Sequence, residues 1–443
     1  MGITSAFFSA TSGINATSRA LTEIGNNIAN AQTIGFKTRT VSFGDLFGAN
    51  LGLGGASSAL VEGRGVRVLG VDPSFTQGSL QTTSNALDLA IDGDGFFQVS
   101  DASGNPFFSR AGQFNVDANG YIVSPAGLRL QGYQADAVGN INVGSTGDLV
   151  LTTQQQIGSP TVDVSMSGNI DATEPIISPT TAQLLADPSN PSTSQFSTGV
   201  RVYDSFGVGH DVTVYFAKTA NNTWEYNVIA NQSEVTVPPA NENVTTGNAL
   251  VAQGTLTFNS NGLLLTESDP AGHAISFNNG STAPQTIIFD FGTSITTDGG
   301  TGTDGMLQQG AASVLLTLSQ DGFANGTLSS TSISEDGLIQ GRFSNGTTRN
   351  LGQVALTRFI NPDGLQPIGK NLFIQSGDSG TPLVGTPGLG SFGKVISSTL
   401  EASNVDLGEE LVNMIIMQRG FQANSRIITT TNDLLGELVN LAR

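Results

Sequence analysis

Asn26–Thr38 reads NNIANAQTIGFKT, and its reading decides the fold. Upstream, Phe7, Ile14, Leu21 and Ile28 fall seven residues apart, and Ala10, Thr17, Ile24 and Ala31 each follow by three. Bulky residues at one position and mostly small ones at the other form a heptad seam, so the spacing predicts a helix over about four heptads. No proline interrupts it, while Gly13 and Gly25 each weaken it by roughly 1 kcal/mol against alanine. Asn26, Asn27 and Asn30 are poor choices for a helix that need only be stable. They are short and uncharged, and each can donate and accept hydrogen bonds to neighbouring backbone. Ala29 and Ala31 permit close approach, Gly35 can end the helix, and Phe36 can anchor the linker beyond it. The stretch therefore reads as a helix end built for crowded surroundings.

The other end of the chain carries the same pattern. Leu407, Met414, Phe421, Ile428, Leu435 and Ala442 fall seven apart, with Leu411 and Val439 at the partner position and Gln418, Ser425 and Asn432 between them. Ser403 or Asn404 can cap the start, and Asp406, Glu409 and Glu410 suit the positive end of the helix dipole. Ile415, Ile416, Ile427, Leu434, Leu438 and Leu441 widen the apolar surface beyond one seam, so this helix needs more than one neighbour. Residues 1–40 hold three bases against one acid and residues 401–443 six acids against three bases, so pairing of the two ends, parallel or antiparallel, is favoured by charge.

Helical periodicity disappears between the ends. LDLAIDGDGFFQV (87–99) alternates Leu87, Leu89 and Ile91 with Asp88, Ala90 and Asp92, turns at Asp-Gly pairs and resumes at Phe96, Phe97 and Val99. RVYDSFGVGHDVTVYFAK (201–218) reads as a strand pair and WEYNVIA (224–230) as a further strand. Residues 146–319 hold fifteen acids against Arg201 and Lys218 alone, a net of −13 out of −19 for the whole chain. The expected organisation is a mixed, mainly β fold. Helical termini, 1–31 and 398–443, pair as a coiled coil. A Gly-rich linker spans 32–70, an inner β domain 71–145 with 320–397, and an acidic, solvated outer β domain is inserted at 146–319.

Composition narrows the chemistry. There is no cysteine, and His210 and His273 stand far apart, so thiolate, metal and histidine-dependent catalysis are not expected. Net charge of −19 argues against nucleic acid, and no run of about 18 apolar residues marks a membrane span. The start of the chain lacks a basic, then apolar, leader, so a cleaved signal peptide is not expected, and an extracellular chain of this kind would leave by a route that reads no cleaved leader. GDSG (377–380) resembles a serine-protease loop without a triad around it, and GLQPIGK (364–370) is a phosphate loop without its Ser or Thr. DGDG (92–95) lacks the later calcium ligands, with Ser103 at the position of the closing Glu. All three read as turns. No cofactor, metal or catalytic residue is expected.

TSRALTEIGNNIANAQTIGFKT (17–38), NALDLAIDGDGFFQV (85–99) and SNVDLGEELVNMIIMQRGFQANSRIITTTNDLLGELVNL (403–441) resemble, in order, three segments shared by bacterial flagellar rod and hook axial proteins. TVDVSMSGNIDA (161–172), VRVYDSFGVGHDVTVYFAK (200–218), QDGFANGTLSS (320–330) and LGQVALTRFINPDGL (351–365) resemble the hook members of that family, whereas its distal rod members look much shorter. The resemblance implies a non-enzymatic structural subunit that self-assembles into a helical tube joining rod to filament and acting as a flexible universal joint. It also implies export through the flagellar type III apparatus and contact with the distal rod, junction and hook-cap proteins. Self-assembly is then expected to rest on Phe7, Ile14, Leu21, Ile28, Asn26, Asn27 and Asn30 of the first helix. On the last helix it rests on Leu407, Leu411, Met414, Phe421, Ile428 and Leu435, with Gly35 and Phe36 in the linker.

Overall fold

The computed structural model describes residues 2–46, 64–136, 138–151, 156–268 and 271–441, with side chains at 2–4 and 438–441 outside that description. Residues 47–63 of the expected linker, Ala442 and the side chain of Val439 therefore lie outside it. The chain is mainly β and has three α-helices among the described residues: α1 (Gly2–Ala29), α2 (Thr181–Ala186) and α3 (Leu407–Leu441). None is long and apolar enough to cross a membrane. Two compact units emerge, one from residues 1–152, 330–341 and 348–443, the other from 153–329 and 342–347.

The first unit has a helical part and a β part. α1 and α3 pack against each other along their lengths, about 42 and 52 Å at 1.5 Å per residue. Their contacts run Asn27 to Glu410, Thr17 to Gly420 and Gly13 to Asn424. Residue numbers rise on one helix as they fall on the other, so the pair is antiparallel. Asp406 caps α3, accepting from Gly408 N at 2.7 Å and Glu409 N at 3.2 Å. Asn404, a candidate cap by sequence, is drawn away to hold Thr38 N at 2.8 Å.

Part of the stretch expected to be a linker forms strands. Arg39–Asp45 pairs antiparallel with Val66–Pro73, and this ribbon lies beside α1, with Val66 N donating to Ser12 Oγ at 3.1 Å. Val41, Val66 and Val68 are half-buried and alternate with exposed neighbours, as suits a ribbon with one face on a helix, while a register shift between Ser42 and Phe43 leaves Phe43 exposed.

The β part is organised around Phe96–Ser100. That strand pairs with Pro106–Ser109, Arg129–Ala135 and Leu356–Arg358. Leu89–Asp92 pairs with Lys394–Ser397 and Leu80–Thr82 with Thr399–Glu401, so the chain enters and leaves this β part on paired strands. Leu89, Ala90 and Ile91 are all fully buried. The alternation expected for a half-exposed strand is lost because both faces are covered. Asp148 bonds Arg129 and Gln131, and Leu149 and Leu151 join the core of Leu89, Phe97 and Leu130. The drop in charge from residue 146 thus precedes the structural boundary, which lies beyond Leu151.

The second unit is all β apart from α2. Phe196–Tyr203, Gly209–Ala220, Thr223–Asn231 and Asn248–Phe258 form an antiparallel meander. A second sheet centres on Asp163–Asp171, which pairs parallel with Gln285–Asp290 and Met306–Gln309 and antiparallel with Val314–Gln320. Both sheets feed one core that includes Trp224, Tyr226, Phe216 and Phe291. Sequence-distant strands at the centre of the second sheet leave no local signal, and their pairing was not read from the sequence.

Half-burial pushes the Glu267 carboxyl up to about 7, helped by the nearby charges of Asp298 and Asp290. Between about 4.5, where it titrates in the unfolded chain, and 7 the folded unit holds a proton the unfolded chain has released. Its contribution to stability therefore falls as pH rises through that window. Glu267→Gln is expected to flatten this part of the pH dependence. The check is thermal melting from pH 4.5 to 7.5, followed by the fluorescence of Trp224, the only tryptophan. A variant with the same pH slope as the parent would refute the assignment.

Candidate assembly surface

The covered side of α1 is made mainly of small residues: Ala10, Gly13, Ala16, Ala20 and Asn27 are buried, with Ile24 the one large side chain among them. A Cβ on Gly13 would come within 2.5 Å of Asn424 Nδ2, so the glycine that weakens the isolated helix lets the two backbones approach. The bulky seam lies off this contact: Phe7 is exposed, and Ile14, Leu21 and Ile28 are half-buried.

α3 follows the same division. Glu410, Asn413, Met417, Gly420, Asn424 and Thr431 are buried or half-buried. Leu407, Leu411, Val412, Ile415, Ile416, Phe421, Ile427, Leu434 and Leu435 are exposed, while Met414 and Ile428 are half-buried at the margin. Of the residues expected to drive assembly, the large apolar ones thus sit outside the helix–helix contact or at its edge. They remain available to something else. Exposed apolar residues recurring along a helix of this length mark an interaction surface.

The asparagines behave differently from one another. Asn27 is 1% exposed; its Nδ2 donates to Arg39 O at 2.9 Å and Glu410 Oε1 at 2.8 Å, and its Oδ1 accepts from Arg39 N at 3.0 Å. One side chain thereby ties α1, the ribbon and α3 together. Burial pushes the Glu410 carboxyl up, against the Asn27 amide that favours its charged form. Asn30 bonds Asn26 O at 2.9 Å and Asn26 Oδ1 at 3.0 Å, finishing the last turn locally. Gly35 has φ of +68° and donates to Glu401 O at 2.8 Å; a Cβ there would meet Ala111 N at 2.5 Å. Phe36 is buried beside it.

Where helices give way to strands, the structure holds a buried charged hub absent from the sequence-based expectations. Lys37 Nζ donates to Glu401 Oε1 at 2.6 Å and to Thr76 O at 2.6 Å. Arg110 reaches Glu401 Oε2 at 3.4 Å and Gly93 O at 2.9 Å, and Gly78 N donates to Glu401 Oε1 at 2.9 Å. Lys37, Arg110 and Glu401 are all within 3% of complete burial. Burial pulls the Lys37 amine down, opposed by the Glu401 charge and hydrogen bond, and pulls Arg110 down in the same way. Asn404 completes the junction, donating to Ser74 O at 3.0 Å and Thr76 Oγ1 at 2.8 Å. The signal for this hub was a lysine beside Phe36 and a glutamate just before the last helix, in a chain only 12% charged.

Two of the strings that imitate catalytic loops, 92–95 and 377–380, are turns or bends, whereas GLQPIGK (364–370), expected to be a turn, is mostly the strand Gln366–Gly369 because it pairs with Leu372–Ile374. Ser379 is buried and its hydroxyl donates to Ser376 O at 3.0 Å. Gly93 and Gly95 hold positive φ between Leu89–Asp92 and Phe96–Ser100. No cluster of three or more potential metal ligands occurs among the described residues.

Comparison with known proteins bears on the whole chain. Residues 90–172 match the model of the flagellar hook protein FlgE/F/G D1 domain, 169–323 that of the flagellar basal body protein FlaE D2 domain, and 396–441 that of the flagellar basal body rod FlgEFG protein C-terminal. The flagellar hook protein FlgE of Escherichia coli (strain K12) is 37% identical over 439 residues, 98% of this chain and 100% of that one. That of Treponema pallidum (strain Nichols) is 34% identical over 468 residues, 98% of this chain and 99% of the other. A crystal structure of Helicobacter pylori flagellar hook protein FlgE2 aligns with a TM-score of 0.49 at 15% identity, covering 71% of this chain and 98% of that one.

Proposed function

The chain belongs to the flagellar hook protein family and is a structural subunit of the hook, self-assembling into the flagellar axial structure. From that premise we propose that α1 and α3 form the packed inner layer of a helical tube and that the second unit forms an outer, solvated layer. The carrying observation is the division of residues on the two helices: the covered side is mostly small or polar, while most of the large apolar residues are exposed or at its margin. An open helical assembly joins one patch to a different patch on the next copy. Leu407, Leu411, Phe421 and Leu435, with Phe7, Ile14, Leu21 and Ile28, are the patches offered for that purpose. Gly35 and Phe36 hold the exit from α1 in place.

Bending needs outer contacts that exchange and inner contacts that persist. A close-packed helical layer resists rearrangement, whereas polar, hydrated contacts exchange at low cost. The acidic, Thr- and Asn-rich composition of 146–319 suits the exchanging layer. The assembled hook lies outside the cell, so its subunits must be exported. A chain without cysteine can be threaded unfolded through the flagellar export apparatus and refold with no redox step. The distal rod protein, the hook cap and the junction proteins are the further partners of this reading.

Deletion of residues 153–329 tests the division of labour. Tubes are expected to form still, with altered curvature under the electron microscope. Loss of tubes in a variant whose first unit is folded would refute it.

A further inference from the structure

Lys370 and Asn371 are the only two consecutive non-glycine residues with positive φ, +55° and +58°, among the described residues. They join Gln366–Gly369 to Leu372–Ile374 in a hairpin. Such a turn favours asparagine and glycine, and lysine fits it poorly because its Cβ crowds the backbone. Strained positions persist where the surroundings fix them, and they concentrate at functional sites. This turn is fixed on two sides: Asn371 Nδ2 donates to Ile34 O at 2.9 Å, and Ser109 Oγ donates to Asn371 O at 2.9 Å.

The turn forms one wall of a cleft of about 270 Å³, with Asn26, Asn30, Arg39 and Pro73 on the others. Lys370 is exposed and Arg39 half-exposed. Neither has an ion-pair partner among the described residues. The chain carries 36 acids against 17 bases, so two unpaired cations lining one polar cleft stand out from the rest of its surface.

We propose that this cleft receives a carboxylate side chain from a second copy of the chain, gripped by Lys370 and Arg39. The proposal rests on the self-assembly reading and adds a polar contact to it. A second copy is the occupant because its excess of acids complements the cleft and because a polymer of identical subunits brings unlike patches together. The cost of placing lysine in the turn is then offset on assembly, when its ammonium gains a partner.

Polymers assembled from a mixture of heavy-isotope-labelled and unlabelled chains, treated with a water-soluble carbodiimide, provide the test. That reagent joins lysine amines to carboxylates in direct contact. Peptides linking Lys370 to an Asp or Glu are expected, with half or nearly half of them mixed in isotope. Polymers in which Lys370 is unlinked, or linked only within one isotope, would overturn the proposal. Lys370→Asn provides an independent check, because asparagine accepts positive φ and carries no charge. The free variant is expected to melt at or above the parent temperature while its critical concentration for polymerisation rises about tenfold at low salt. A variant that polymerises like the parent would also overturn the proposal. If the parent chain itself fails to polymerise, the assembly reading falls, and this contact with it.

Discussion

Glu401→Gln is expected to destabilise the first unit by about 3–5 kcal/mol and to leave the second unit unchanged. Among the described residues, Glu401 is the sole carboxylate directly bonded to two buried cations, Lys37 and Arg110, and it also accepts from Gly78 N. The neutral amide removes the counter-charge from both and leaves an N–H group facing cationic donors. Arg110 cannot shed its proton, so Lys37 is the group that yields. In the parent, burial already holds Lys37 below its ordinary 10.5. Between that depressed value and 10.5 the unfolded chain carries a proton the folded chain has lost, so stability rises with pH across the window and is lost as pH falls below it. The substitution lowers the folded value further and widens the window downward. The variant should therefore regain part of its lost stability in alkaline buffer. Calorimetry reads the first unit, while the fluorescence of Trp224, buried in the second, reads the other. A loss under 1 kcal/mol, or one equal at all pH, would show that the hub is not electrostatically coupled as described.

Leu411→Glu combined with Ile415→Glu is expected to abolish hook formation while leaving the free subunit folded. Both side chains are about half exposed, at 50% and 51%, so the substitutions break little within one chain. Surface changes of this kind fall within about ±0.5 kcal/mol. In the proposed tube the same positions meet a neighbour. Fully burying a leucine or isoleucine contributes about 1.5–3 kcal/mol, so completing two half-burials is worth about that much again. Burying two carboxylates without partners costs several kcal/mol more. At 1.4 kcal/mol per factor of ten, the critical concentration should rise more than about a hundredfold. Complemented cells should be non-motile and lack hooks under the electron microscope, with unchanged Trp224 fluorescence in the purified subunit. Normal hooks in such cells would remove the outward faces of α3 from the assembly surface.

Both helices were legible because each repeats a short-range pattern over several turns, and local spacing suffices to specify it. The β character of the middle was legible from Asp-Gly turns and from strands such as 224–230. The hub of Lys37, Arg110 and Glu401 was not: its members lie 73 and 291 residues apart along the chain, as 110 less 37 and 401 less 110, and nothing local to any of them announces the others. Nor was the parallel pairing at the centre of the second unit, which joins Asp163–Asp171 to strands more than a hundred residues later.

NNIANAQTIGFKT marks the limit between the two kinds of information. The sequence by itself determined that a helix ends there, since Gly35, the small alanines and the asparagines are local signals of backbone geometry. It also determined that both ends of the chain are helical and that the segment between them is β. Only the tertiary structure decided the antiparallel sense of the helix pair and the role of each asparagine. Asn27 is a buried tie among three elements, whereas Asn26 and Asn30 close their own turn. Only the folded chain, too, showed that the small seam faces α3 and leaves the large one outward. The physical reason is that heptad spacing fixes which residues share a face, while the choice of face for a given neighbour depends on how closely two backbones can approach. That approach is set at Gly13 and Asn424, on opposite ends of the chain.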